Sequence, residues 1–197
     1  HEVGDSFVSA FARSNGRFAN GRGSYFISGR RGYLDLLADA VVDEGEELEP
    51  RYADRFTSVG YSVNDALDIS LETLLAADKV RFADPEEGEA FGEDSEQQHI
   101  WLAATFEADN GLLSRTALFT SNIESVEDGG QVNAPAESVV RYFDRDIDVL
   151  GIQTDWTWPI GDRQVLEFGA SYRDLSVDFD YRMNSLRRSD FVNNGAP

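Results

Sequence analysis

Cysteine is absent from the 197 residues, Lys79 is the only lysine, and the only histidines are His1 and His99. Without cysteine there is no disulfide, no thiolate zinc site and no Cys nucleophile. Seventeen basic residues against 37 acidic ones leave a formal charge of −20. That excludes general nucleic-acid binding, which needs clustered Lys and Arg. No apolar run approaches the roughly 18 residues of a membrane helix, and the mean hydropathy is −0.40. A helical membrane protein is thereby excluded. A membrane β-barrel is not, because its strands turn only every second residue to lipid. No Gly-x-Ser-x-Gly elbow, phosphate loop or His-Glu-x-x-His occurs, so catalysis has no motif to rest on and no cofactor is implied. The start lacks the basic-then-apolar profile of a signal peptide. With a loop-like "VNNGAP" at the other end, both termini read as cut, and a fragment is expected.

What is present is a sheet pattern. Hydrophobic residues make up 41% and aromatics 12%, too apolar for a disordered acidic chain. Apolar and polar residues alternate with period two. In "LDISLETLL", Leu67, Ile69, Leu71 and Thr73 oppose Asp68, Ser70 and Glu72. Leu166, Phe168, Ala170 and Tyr172 oppose Glu167, Gly169, Ser171 and Arg173, while Leu150, Ile152, Thr154 and Trp156 oppose Gly151, Gln153 and Asp155. Ile100, Leu102, Ala104 and Phe106 share one face, as do Val59, Tyr61 and Val63. With 5–13, 23–33 and 112–122 these make eight strand candidates of about ten residues each. One helix is allowed at 33–42, where Leu34, Leu37 and Val41 fall at helical spacing.

The connections sort by length. "NDA" (64–66), "DNG" (109–111), "PIGDR" (159–163) and "FANGRG" (18–23) are tight turns, rich in residues that tolerate positive φ. Between them lie long polar stretches at 35–53, 79–96 and 124–143. Short and long connections alternate, as in outer-membrane barrels with short periplasmic turns and long extracellular loops. Tyr25, Phe26, Tyr33, Tyr61, Trp101, Trp156, Trp158, Tyr172, Phe179 and Tyr181 are expected near strand ends, as an interfacial girdle. The fold expected is all-β: an antiparallel up-and-down meander of about eight strands, a partial transmembrane β-barrel forming one domain over 1–197.

"GRGSYFISGRRGYLDLL" (21–37) resembles an early barrel strand of TonB-dependent outer-membrane receptors. "PRYADRFTSVGYSVNDALDISLETLLAADKV" (50–80) is similar to their next hairpin, and "DRDIDVLGIQTDWTW" (144–158) with "QVLEFGASYR" (164–173) follows in order; Gln164 stands where His is commoner. The resemblance implies a 22-stranded barrel around an N-terminal plug, energised by an inner-membrane TonB complex, in the outer membrane of a Gram-negative bacterium. Its partners would be outer-membrane lipid, the chain's own plug domain and a small-molecule ligand: siderophore, cobalamin, sugar or peptide. Neither plug nor energy-coupling box is visible in the chain.

With the short turns placed in the periplasm, both chain ends fall on the external side, which a complete barrel avoids. A complete eight-stranded barrel with a structural or pore role, or an outer-membrane hydrolase, are the competing functions. Asp68, Glu72, Gln153, Asp155, Glu167 and Arg173 are expected to face a wet lumen or the plug, since a base facing lipid at mid-membrane costs about 2–4 kcal/mol. Arg30 and Arg31 must point to opposite faces, the lumenal one pairing with an acid. The acidic runs at 43–49 and 84–96 read as solvated loops and lack the spacing of a calcium loop. His99 reads as a boundary residue at a strand start.

Overall fold

The computed structural model describes residues 1–6, 8–34, 47–134, 137–161 and 163–187. They form a single antiparallel sheet of ten strands. These are β1 (Glu2–Asp5), β2 (Ser9–Phe18), β3 (Gly23–Gly32), β4 (Glu47–Leu48), β5 (Arg51–Asn64), β6 (Leu67–Asp84), β7 (Glu89–Glu107), β8 (Leu113–Ala134), β9 (Glu137–Ile160) and β10 (Gln164–Arg187). Each strand pairs with its sequence neighbours, except that β4 lies against the end of β6 and β3 pairs directly with β5. The meander expected from the hairpin turns is therefore present, with two short strands added to the eight. No α-helix occurs among the described residues, and most of the helix expected at 33–42 falls outside them. The sheet is open, since β1 and β10 do not pair.

The turns follow local chemistry. Asn64 Oδ1 accepts the N–H of Ala66 at 2.9 Å, and Asn110 Oδ1 that of Leu112 at 3.1 Å. Both are side-chain mimics of a backbone turn. Gly111 and Gly161 take positive φ, 79° and 66°, where a side chain would be strained. These turns lie at one end of the sheet, here called the lower end.

At the upper end the long loops expected at 79–96 and 124–143 are strands. β6 runs on to Asp84 and β7 restarts at Glu89, closed by a turn in which Asp84 Oδ1 accepts the N–H groups of Glu86 and Glu87. β8 continues to Ala134 and β9 begins at Glu137. Strands of 18 to 24 residues replace the ten-residue strands and long loops expected. Acidic residues and Gly disfavour strands only weakly, and a continuous ladder that pairs every backbone group outweighs them. The run 84–96 is thus a turn and a strand. The run 43–49 is described only from Glu47, where β4 begins. His99 stands in mid-strand, away from any boundary.

Packing on the sheet needs a glycine at position 151. A Cβ at Gly151 would overlap the ring of Phe119, which lies across it from β8. Gly151→Val should destabilise the sheet by about 1–3 kcal/mol, measured by denaturant unfolding in detergent. Combined with Phe119→Ala, the loss should fall below the sum of the two single losses; strict additivity would show that the ring does not need the space.

Candidate functional site

Residues directly opposite in an antiparallel pair share a face, so the register assigns every side chain. One face is defined here by Leu71, the other by its neighbour Glu72. Val59, Leu71, Leu102, Leu118, Ile152 and Tyr172 form one continuous row across β5 to β10. The rows below it run Tyr61–Ile69–Ala104–Thr116–Thr154–Ala170 and Leu67–Phe106–Ser114–Trp156–Phe168. The row above, Thr57–Thr73–Ile100–Thr120–Leu150–Asp174, brings the only charge of the four, Asp174. The apolar sides of the separate alternations meet here: Leu67, Ile69, Leu71, Leu102, Phe106, Leu150, Ile152, Leu166, Phe168 and Ala170 all lie on this face. Leu71 is 46% exposed, Leu118 49% and Leu150 64%, so nothing among the described residues covers the band. Thr116 and Thr154 hydrogen-bond each other across it at 2.9 Å, giving each hydroxyl a partner on an apolar surface.

Aromatics gather at the lower edge of the band. Trp156 and Phe168 stack with centroids 6.1 Å apart, and Phe18 and Tyr61 at 6.5 Å. The girdle expected from sequence is narrower than expected, because Phe26, Trp101, Phe179 and Tyr181 sit on the Glu72 face and Tyr172 lies in the middle row of the band.

The Glu72 face is polar below. Asp68, Glu72, Gln153, Asp155, Glu167 and Arg173 all lie on it. The register brings Asp68, Thr105, Arg115 and Asp155 into one row and Glu72, Trp101, Phe119, Gly151 and Arg173 into another. Gln153 Nε2 donates to Asp155 at 2.9 Å, and the Arg173 guanidinium sits 5.7 Å from the centre of the Phe119 ring. Glu167 stands apart, in the lowest row with Thr157, Leu113 and Glu107. Between the two charged rows runs a row of small residues interrupted only by Gln153, Ser24–Gly60–Ser70–Ala103–Ala117–Gln153–Ser171, forming a trough floor that sequence reading missed. Period two was its only trace. Arg30 lies on the Glu72 face and pairs with Asp54 at 2.6 Å, which raises its pKa through the hydrogen bond and the carboxylate charge. Arg31 points to the other face.

Above the band the two faces exchange character. On the Leu71 face, Arg81 bridges Asp94 of β7 and Asp128 of β8, Lys79 reaches Asp94 at 3.3 Å, and Arg182 pairs with Asp180. The hydrogen bond that Arg81 donates to Asp128 is the main cause of its raised pKa, and the one that Arg182 donates to Asp180 the main cause of its own. On the Glu72 face, Ile123, Ile147, Val149, Leu175, Val177, Phe143, Phe179 and Tyr181 appear instead. His99 lies at the changeover, its Nδ1 2.8 Å from Ser121 Oγ and its ring stacked on Trp101 at 5.7 Å. Among the described residues no group of three or more His, Cys, Asp or Glu is placed to hold a metal ion.

Tyr142 O–H donates to Asp144 at 3.2 Å, and this hydrogen bond, then burial, raises the phenol pKa above its ordinary value of about 10. Its contribution to stability is present below the ordinary value and is lost as pH rises through the shifted one. Asp144→Asn should move the Tyr142 midpoint down, read as phenolate absorbance after subtracting a matched Tyr142→Phe background. An unchanged or higher midpoint would refute that assignment.

Comparison of the chain with protein-family models, curated proteins and solved structures returns no match.

Proposed function

We propose that this chain is a stretch of wall in an outer-membrane β-barrel, belonging to a TonB-dependent receptor that takes up a scarce ligand. The observation that carries the membrane part is the uncovered apolar band with a wet face behind it. On β9, from Leu150 to Trp158, the band spans nine residues. Eight steps of about 3.3 Å make roughly 26 Å along the strand, close to the nine to eleven residues with which a tilted strand crosses a bilayer. A water-exposed surface of this extent on a soluble monomer is rare.

The open sheet favours a segment of a larger barrel over a complete small one. β10 offers an edge of 24 residues, whereas β1 at the other side has four, so the two could not pair along their lengths. The resemblance of 21–37, 50–80, 144–158 and 164–173 is what supports the receptor family. On this reading Asp68, Glu72, Gln153, Asp155, Glu167 and Arg173 line the lumen and contact the plug. The trough of small side chains gives a plug surface room to sit close to the backbone. No observation favours the hydrolase reading.

The three tryptophans make the membrane part testable. Trp156 and Trp158 lie on the Leu71 face and Trp101 on the Glu72 face. In single-Trp variants reconstituted into vesicles of acyl-brominated lipid, Trp156 and Trp158 should be quenched and Trp101 should not. Equal quenching of all three would sink the assignment of faces. The receptor part is tested by uptake in a strain dependent on the full-length protein. Charge reversal at Glu72 or Arg173 should change uptake or plug retention more than a reversal within 84–96; equal or smaller effects would count against a lumenal role.

A further inference from the structure

We propose that the upper Glu72 face holds a binding site for an aromatic zwitterion, of the kind presented by the two termini of a short aromatic peptide. The site is a cavity of about 550 Å³ framed by Phe82, Phe91, Phe143 and Tyr181 from β6, β7, β9 and β10. That volume suits a small organic ligand. The cavity exists because of Gly129. In the row Phe82–Phe91–Gly129–Arg141–Met183 it is the one position without a side chain, and a Cβ there would come within 3.1 Å of the Ala90 carbonyl.

Two opposite charges line the same cavity without meeting. Arg141 stands across the ladder from Gly129, and Glu127 stands across from Phe143. Among the described residues neither makes an ion pair or a side-chain hydrogen bond. The other acids of the lining are engaged: Glu89 accepts from Gln131 at 2.8 Å, and Asp128 is bound by Arg81. One guanidinium and one carboxylate without a partner among the described residues therefore remain, one same-face register step apart in the lining of an aromatic-framed hollow. The guanidinium is built for a planar carboxylate and the carboxylate for an ammonium. The four rings match an aromatic or apolar group, and their faces also attract the ammonium. A purely cationic ligand would meet Arg141, and a purely anionic one would meet Glu127. Only a dipolar ligand satisfies both.

This site does not depend on the sheet crossing a membrane, so its failure and the failure of that reading are separate results. The test is calorimetric titration of the full chain in detergent with phenylalanyl-phenylalanine, its N-acetyl form and its C-terminal amide. The free dipeptide should bind saturably at one site. The acetylated form, lacking the ammonium, and the amide, lacking the carboxylate, should each bind about tenfold more weakly or worse. Glu127→Gln should abolish the difference between free and acetylated peptide, and Arg141→Gln that between free peptide and amide. Gly129→Val should block all three. If the amide or the acetylated form binds the unaltered chain as tightly as the free dipeptide, or if the free dipeptide shows no saturable binding, the proposal is overturned.

Discussion

Side chains in this molecule have no freedom to choose a face, because the antiparallel ladder chooses for them. From β6 to β10 the register runs without a shift from the lower turns to Gln131, so each row crosses five strands in a fixed order. A slip of one residue in any strand would turn its whole apolar set to the opposite face. The apolar band, the polar face behind it, the small-residue trough and the upper cavity are four consequences of that one register. The two irregularities near it, at Ser62/Asn64 and Gln131/Ala134, fall at strand ends, where a bulge costs the rows nothing.

Within that register the sheet exchanges its dry and wet faces partway up. Below the changeover the Leu71 face is apolar and the Glu72 face carries Asp, Glu, Arg and Ser. Above it the Leu71 face carries Arg81, Asp94, Asp128 and Arg182, and the Glu72 face carries Phe82, Phe91, Phe143 and Tyr181. Adjacent apolar pairs make the exchange without a bulge: Leu74 and Leu75 on β6, Val149 and Leu150 on β9. On the proposed reading, the wall that is dry toward lipid becomes wet once it rises out of the bilayer, and its inner side becomes an aromatic surface for ligand.

The same exchange explains where the acidic excess goes. On the upper Leu71 face Glu96, Glu124, Asp146 and Asp178 stand directly opposite one another across β7 to β10. Like charges in such a row repel. Asn122 offsets part of this, donating to both Asp146 and Asp148 at 3.1 Å. Lys79, Arg81 and Arg182 offset more in the rows above. These groups are largely exposed, so each ion pair contributes little by itself, and salt screens the remainder. The ladder, rather than the charges, holds the upper hairpins together.

Composition and period two by themselves determined the all-β class, the hairpin order, the tight turns and the division of faces in the lower half. Leu67, Ile69 and Leu71 oppose Asp68, Ser70 and Glu72 in any register, because alternate side chains of a strand must point apart. The six polar candidates were legible for the same reason. The upper half was not. Residues 79–96 and 124–143 read as loops because their polar side chains occur on both faces and the alternation loses its phase, leaving no periodic signal for a strand. Only the tertiary structure decided that they pair. Backbone groups of one strand find partners on another distant in sequence, and that pairing depends on register rather than on hydropathy. It also decided the cavity at Gly129, which needs five strands side by side before a missing side chain in one of them becomes a space.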